Sequence, residues 1–482
     1  MNPKIIFYGG VGTATGANIM LNFGKQGKIL VDCGLLQGPK FLEEKNFKPF
    51  NYNPIGVDYL LITHAHMDHI GRVPKLVRDG FRGKIISTKE TMALARPMLE
   101  DAMNVVKSKF PNEILFEKND LEKALSLWQG FDYKEKIELC QGCFLEMQDA
   151  GHILGSAIMD ISYNSEAGIK KIALTGDLGN SPSPLLPDTE ILKDIDYLVM
   201  ESVYGDRNHE SKTERREKLK AVILDGIKRA GTIVIPAFSI ERTQVLLYEL
   251  NNMVEDGEIP EIPVFVDSPL AEKVTEIYKK FQKDFKDSVQ KEIKSGDDIF
   301  DFPKLKIVGQ VSESAEIEKS KNPKIILAGS GMSEGGRVVD HEAEILDDPK
   351  NTLILIGYQS VGTLGRALQD GKKDIILPTP LYIKGGKKSE PSHRQKITVR
   401  AKIESITGYS SHKDSEHLLE FVEKTSQSEV FEDGERSRTT RLKKVFVIMG
   451  EPHSSLFLTQ RIRDYLDVNA VYPEEGKEYE LI

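Results

Sequence analysis

The chain predicts an α/β fold in at least two parts, and three observations carry that expectation. At 482 residues it is too long for one ordinary hydrophobic core. Roughly its first 200 residues read as short apolar strands broken by glycine loops, with a few helices between them. After Gly205, strands alternate with charged helical stretches, which is the pattern of a parallel sheet covered by helices.

The elements follow in order. Lys4–Tyr8, Asn18–Phe23 and Lys28–Asp32 are short apolar runs separated by Gly-rich turns. Asp58–Ile62, Lys84–Ser87, Phe144–Gln148, Ala157–Tyr163, Lys171–Leu174 and Tyr197–Met200 continue the strand pattern. Helices fit Ile70 to Arg78, Lys89 to about Ser108, and Leu121 to Gln129. Beyond Gly205 a helix over Glu214–Ala230 precedes a strand over Gly231–Ile235. A helix over Glu241–Val254, a strand over Val264–Val266 and a helix over Leu270–Phe285 come next. Strands over Lys324–Ala328 and Asn351–Gly357 close that stretch. From about Gln395 the β-rich style resumes, with Lys396–Ile406, Lys444–Met449 and a helix from about Ser454 to Leu466. The polar segment Thr425–Arg441 reads as an exposed loop.

Composition narrows the class. A net charge of −9 gives no global basic footprint for nucleic acid, although a local cleft holding metal ions can override that average. No run of about 18 apolar residues exists, so no membrane span is expected. The start, Met1–Gly10, is too short and glycine-broken for a signal peptide, and the expected compartment is the cytoplasm. Three cysteines fit a reducing compartment. Cys140-x-x-Cys143 has no second pair nearby to make a zinc ribbon, so it reads as a turn between strands.

Chemistry concentrates in Thr63-His64-Ala65-His66-Met67-Asp68-His69, directly after a strand. Three imidazoles and a carboxylate cannot be buried unpaired without a large desolvation penalty, whereas each is comfortable lending a lone pair to a cation. His152 in the glycine-flanked loop Asp149–Ser156, and Asp177 in Leu174-Thr-Gly-Asp177, both follow strands, where sites in α/β folds gather. His64, His66 and His152 with Asp177 supply about the four ligands one Zn²⁺ wants. Asp68, His69 and a shared Asp177 begin a second set.

The ordered set His-x-His-x-Asp-His, a distant His and a distant Asp resembles the metallo-β-lactamase superfamily. Asp32, ending Ile29-Leu-Val-Asp32, looks like that family's orienting carboxylate behind the ligands. Met200-Glu201-Ser202-Val203-Tyr204-Gly205 resembles the acidic motif of the β-CASP nucleases. Four further segments look like the cap domain inserted in that branch. They are Ile235-Pro-Ala-Phe238 with Arg242; Asp267-Ser-Pro-Leu-Ala271; Gly329-Ser-Gly-Met332 with Gly335-Gly336-Arg337; and Gly357-Tyr-Gln359 with Gly362-Thr-Leu-Gly365-Arg366. Gly408-Tyr-Ser-Ser-His412 looks like the histidine motif after the cap. The likeness runs nearly end to end and is strongest to bacterial and archaeal relatives of the eukaryotic mRNA 3′-end cleavage factor.

The resemblance implies an αββα sandwich over residues 1–204 and 395–482, with an α/β cap of parallel sheet inserted at 205–394. It implies a metal-dependent ribonuclease in which a metal-activated hydroxide hydrolyses RNA, single-stranded, in a cleft between the domains. Asp177 would bridge two cations, Asp68 would serve the catalytic centre, and His412, held protonated by Glu201, would serve the leaving oxygen. Arg242, Arg337 and Ser410 are candidates for holding phosphates, and each could equally tie the domains together. Zn²⁺ is the expected cofactor, with Mn²⁺ or Fe as alternatives. A homodimer is the default assembly. The alternatives to RNA cleavage are a DNA nuclease of the same branch and a small-molecule metallo-hydrolase.

One departure bears on the second cation. RNA-cleaving members carry a final His just before Gly-Glu; here the stretch reads Met449-Gly450-Glu451-Pro452-His453. A thioether is a poor ligand at an oxygen-rich site. His453 is the candidate substitute. The expectation is one tight metal site and a second, weaker one.

Overall fold

The computed structural model describes residues 2–166, 168–357, 359, 362–378, 382–383, 387–388, 394–432 and 435–482. These fall into two compact units, Met1–Asn208 with His412–Ile482, and His209–Ser411.

Strands are numbered along the chain. The first unit opens with β1 (Lys4–Gly9), β2 (Asn18–Asn22), β3 (Lys28–Val31), β4 (Tyr59–Leu61), β5 (Lys84–Thr88) and β6 (Trp128–Phe131). It continues with β7 (Ile137–Cys140), β8 (Cys143–Asp149), β9 (Ala157–Ser165), β10 (Gly168–Leu174) and β11 (Tyr197–Met200). The second unit holds β12 (Thr232–Pro236), β13 (Val264–Asp267), β14 (Leu305–Ile307), β15 (Lys324–Ala328) and β16 (Thr352–Ile356). It adds β17 (Asp374–Pro378), β18 (Tyr382–Ile383), β19 (Lys387–Lys388), β20 (Arg394–Thr398) and β21 (Lys402–Ile406). Back in the first unit are β22 (Gln427–Glu432), β23 (Glu435–Thr440), β24 (Lys444–Val447), β25 (Ala470–Val471) and β26 (Glu478–Glu480).

The first unit is a sandwich of two sheets, ordered β26-β1-β2-β3-β4-β5-β6 and β25-β24-β11-β10-β9-β8-β7. The two-residue period of a strand decides what each side chain faces. In β11, Tyr197 and Val199 join the core between the sheets, with Ile5, Phe7 and Leu21 from β1 and β2. Their neighbours Leu198 and Met200 point the other way, onto Leu418, Phe421 and Val422 of helix Ser415–Ser426 and Leu458 and Ile462 of helix Pro452–Leu466. Helix Lys89–Lys109 packs on β5 and β6 outside the other sheet. Burying each such Leu, Ile or Phe contributes about 1.5–3 kcal/mol, so this double-sided pattern holds the layers together. Helices, two sheets and helices form the αββα arrangement expected from the sequence.

The second unit is built on a six-stranded sheet ordered β14-β13-β15-β12-β16-β21, with every pairing parallel. Its central strands β12, β15 and β16 are buried along their whole length, as near-continuous apolar runs require in a sheet covered on both faces. The sequence placed the return at residue 395; the structure carries the second unit to Ser411, because β21 adds parallel to β16.

Several element expectations are corrected. Helix Ile70–Arg78 is two short helices, Met67–Ile70 and Val73–Arg78, parted at Gly71 and Arg72 with Pro74 in the first turn of the second. The helix drawn to Gln129 ends at Ser126; Trp128 instead starts β6 parallel to β5, buried with its indole N–H donating to Ser87 Oγ at 2.8 Å. Lys396–Ile406 is two strands, β20 and β21. The loop expected over Thr425–Arg441 contains the antiparallel pair β22 and β23. Cys140 and Cys143 face one another where β7 turns into β8. Tyr358 of the Gly357–Gln359 motif lies outside the described residues. Among the described residues, no helix is long and apolar enough to cross a membrane.

Candidate metal centre

The residues of the centre all belong to the first unit, and most of them stand in the loops that follow its strands. β4 ends at Leu61, and the chain runs through Thr63 and His64 to His66, which stays extended (φ −68°, ψ 150°) before helix Met67–Ile70 begins. His152 sits in the turn from β8 to β9, its backbone N–H donating to Ser156 Oγ at 3.0 Å. Asp177 follows β10 through Gly176, which has φ 55°. A Cβ on Gly176 would meet Thr63 Cβ at 2.6 Å, so only glycine lets the Asp177 loop lie against the His64 loop.

The donors converge. His66 Nδ1 lies 3.0 Å from His64 Nε2 and 3.2 Å from His152 Nε2. Asp177 Oδ2 lies 3.4 Å from both His64 Nε2 and His152 Nε2. A tetrahedral cation about 2.0–2.1 Å from its ligands has ligand–ligand edges of about 3.3–3.4 Å. Four of the six separations among these atoms therefore already stand near tetrahedral spacing, and all lie within 4.8 Å. Burial lowers the pKa of His64 and holds those of His66 and His152 well below the ordinary imidazole value, so these rings are neutral and their lone pairs available.

Asp177 turns its other oxygen to a second group. Oδ1 lies 3.3 Å from His69 Nε2, and Asp68 Oδ2 lies 3.8 Å from the same nitrogen. His69 Nε2 and Asp177 Oδ1 are buried with no hydrogen-bond partner, an arrangement that calls for a cation. His69 Nδ1 is 2.7 Å from Asp32 Oδ2. Asp32 also accepts from the Thr63 backbone N–H and hydroxyl, each at 2.8 Å. Burial works against charge on His69, but Asp177, Asp32 and Asp68 outweigh it and raise its pKa well above the ordinary value.

A third group adjoins these two. Glu201, directly after β11, lies 3.0 Å from His412 Nδ1 through Oε2 and accepts the Leu178 backbone N–H at 2.6 Å through Oε1. His412 Nδ1 is 3.8 Å from Asp177 Oδ2. Burial opposes a charged His412, but Glu201 and Asp177 push its pKa up to about 9. Asp177 is thus common to the sets His64–His66–His152, Asp68–His69 and Glu201–His412.

The structure brings together Asp32, His64, His66, Asp68, His69, His152, Asp177, Glu201 and His412. It does not bring in His453. That side chain is exposed on helix Pro452–Leu466, 3.1 Å from Asp206 and stacked on Phe457. Met449 is buried in the core between the sheets, its sulfur so close to Gly10 that a Cβ there would sit 2.7 Å away. The phosphate candidates lie in the second unit. Arg337 gives its guanidinium to Asp267 Oδ1 at 2.5 Å and to the carbonyls of Val308 and Gly309 at 3.2 and 2.9 Å, the bonding of an internal tie. Arg242 is buried, with Nη2 3.5 Å from Ser411 Oγ, and Ser410 is buried beside it in sequence. Sequence reasoning missed Thr63 and Lys413. They directly flank the motif residues His64 and His412, and that adjacency was the available signal.

This sandwich and its convergent His/Asp donors define a hydrolase-type divalent-metal site. Models of the metallo-β-lactamase superfamily and the β-CASP domain match residues 12–229 and 243–368. Ribonuclease TTHA0252 of Thermus thermophilus is 31% identical over 449 residues, which cover 93% of this chain and 97% of that protein. An RNase J-like protein of Methanocaldococcus jannaschii is 29% identical over 94% of each chain. Transcription termination factor FttA of Methanosarcina mazei is 30% identical over 83% of this chain, a match that spans 61% of FttA. The chain belongs to the metallo-β-lactamase superfamily, in its β-CASP branch.

Proposed function

We propose that this chain is a metal-dependent ribonuclease that hydrolyses phosphodiester bonds of single-stranded RNA in the cytoplasm. The observation that carries the reading is Asp177 serving both donor groups, with His412 of the Glu201–His412 pair 3.8 Å from it. The relatives named as ribonucleases support RNA as the substrate. His64, His66, His152 and Asp177 would hold one cation, and Asp68, His69 and Asp177 a second. The nitrogen-rich first set favours Zn²⁺. When bound, such cations supply Lewis acidity and lower the pKa of water.

The chain's own residues do the rest. Asp32 orients His69 and fixes its Nδ1 as the protonated nitrogen. Glu201 aligns His412 through Nδ1 and keeps it protonated, so Nε2 gives its proton to the leaving oxygen as the P–O bond breaks. Asp177 and Glu201 are held by the same short loop, which keeps acid and metal donors in one register.

The test is cleavage of labelled single-stranded RNA and DNA, with and without Zn²⁺ or Mn²⁺. RNA cleavage should require metal and disappear in His66→Ala and Asp68→Ala. Retained RNA cleavage in those variants would sink the assignment. Met449 keeps a DNA-cleaving reading worth its own arm, and preferential DNA cleavage would replace the proposal.

A further inference from the structure

Lys413, next to His412, has a buried side chain. Its backbone N–H donates to the Leu178 carbonyl at 2.9 Å. Its ammonium donates to the Gly179 carbonyl at 2.8 Å and lies 3.2 Å from Ser181 Oγ. Among the described residues, no carboxylate comes within ion-pair distance of it. A buried ammonium held by a carbonyl and a hydroxyl is poorly compensated, and a methionine would fill the same space at less expense. The position therefore uses the reach of a cation for something other than packing.

What it reaches is the stretch immediately after Asp177. The Leu178 N–H goes to Glu201, and the Leu178 and Gly179 carbonyls go to Lys413. Gly179 pairs with His412 as an isolated antiparallel bridge. The Gly179 N–H donates to the Ala150 carbonyl at 2.8 Å, and a Cβ on Gly179 would collide with the Gly151 carbonyl at 1.8 Å. The stretch is thus wedged between the His152 loop and the His412 segment. The ammonium is the side-chain clamp on this stretch.

We propose that Lys413 is a positioning residue that clamps the Asp177–Ser181 loop, fixing the shared carboxylate of Asp177 against both the histidine donors and His412. It touches neither the proposed cations nor the proposed substrate, and acts through the loop carbonyls.

The experiment compares full-length wild type, Lys413→Met and Ser181→Ala. Zn²⁺ is titrated into metal-free protein, hydrogen exchange is followed in the peptide spanning residues 176–182, and kcat and KM are measured on single-stranded RNA. Lys413→Met should weaken Zn²⁺ binding by about 10–100-fold, as loss of a support behind metal ligands does. It should speed exchange in residues 176–182 selectively, and lower kcat with KM nearly unchanged. Ser181→Ala should show the same pattern at a few-fold. Wild-type Zn²⁺ affinity in Lys413→Met overturns the proposal. So does exchange that rises uniformly across the first unit, since that marks an ordinary core residue. If Lys413→Met does not fold, unchanged Zn²⁺ affinity and exchange in Ser181→Ala overturn it instead. The kcat arm rests on the ribonuclease reading. The metal and exchange arms do not, so a wild type inactive on RNA sinks that reading alone.

Discussion

His69 Nδ1 meets Asp32 Oδ2 at 2.7 Å in a fully buried contact, and the same carboxylate takes both donors of Thr63. An amide cannot accept all three. Asp32→Asn should therefore free the His69 ring and weaken the cation held by Asp68, His69 and Asp177 by about 10–100-fold, with the His64–His66–His152 cation retained. Metal titration of wild type and Asp32→Asn checks this. Equal loss of both cations would show that Asp32 supports the whole centre.

The two donor groups are unequal: four residues converge on one position and three on the other. One cation per chain should survive dialysis, and a second should return only when added in excess. His453→Ala should leave both events unchanged, since His453 is engaged with Asp206 away from the cluster. Elemental analysis with and without added Zn²⁺ reads both outcomes. Two cations surviving dialysis would refute the inequality.

His412 titrates up at about 9 because Glu201 and Asp177 overcome the burial that disfavours its charge. As a proton donor it is competent below that pKa and spent above it, so the rate should fall on the alkaline side. A cation on Asp177 removes part of the support, placing the limb at or below about 9. Glu201→Gln should move that limb to lower pH by about one unit or more. His412→Ala should cut kcat by about 10²–10⁴-fold. A pH–rate profile of the three proteins decides it.

Arg337 should matter to stability rather than to RNA affinity. Asp267 is buried and holds His341 at 2.7 Å and Ser314 at 2.5 Å besides Arg337. Arg337→Met strips a buried carboxylate of one partner and should destabilise the second unit by about 3 kcal/mol. KM for RNA should stay within about two-fold. Burial alone would raise the Asp267 pKa, but His341, Ser314 and Arg337 hold it lowered. Its stabilising contribution is therefore complete above about pH 4 and is lost on acidification below that value. Denaturant unfolding at pH 7 and at pH 3, with KM in parallel, tests both statements.

Much of this was legible because ligand motifs and strand ends coincide. The apolar runs before Thr63 and Gly176 fixed where the sheet stopped, and the polar residues just beyond had only a metal or a loop to serve. The rest was hidden by long-range effects. Trp128 looks helical by neighbours and becomes strand because its indole reaches Ser87. β21 joins a sheet whose other strands begin more than forty residues earlier. Arg337 reads equally as a phosphate fork or as a structural tie, because its partners Asp267, Val308 and Gly309 are remote in sequence. Lys413 directly follows His412, but the use of its ammonium emerges only once the Gly179 carbonyl is in place.

The donors of the centre hang from both sheets: His64 to His69 follow β4 of one, whereas His152 and Asp177 follow β8 and β10 of the other. No half of the sandwich can assemble the cluster alone. Any ion it retains acts as a rivet across the two layers, favouring the closed form over the unravelled chain by about 4 kcal/mol when free ion exceeds its dissociation constant a thousandfold. Chelators should therefore soften the molecule as well as silence it.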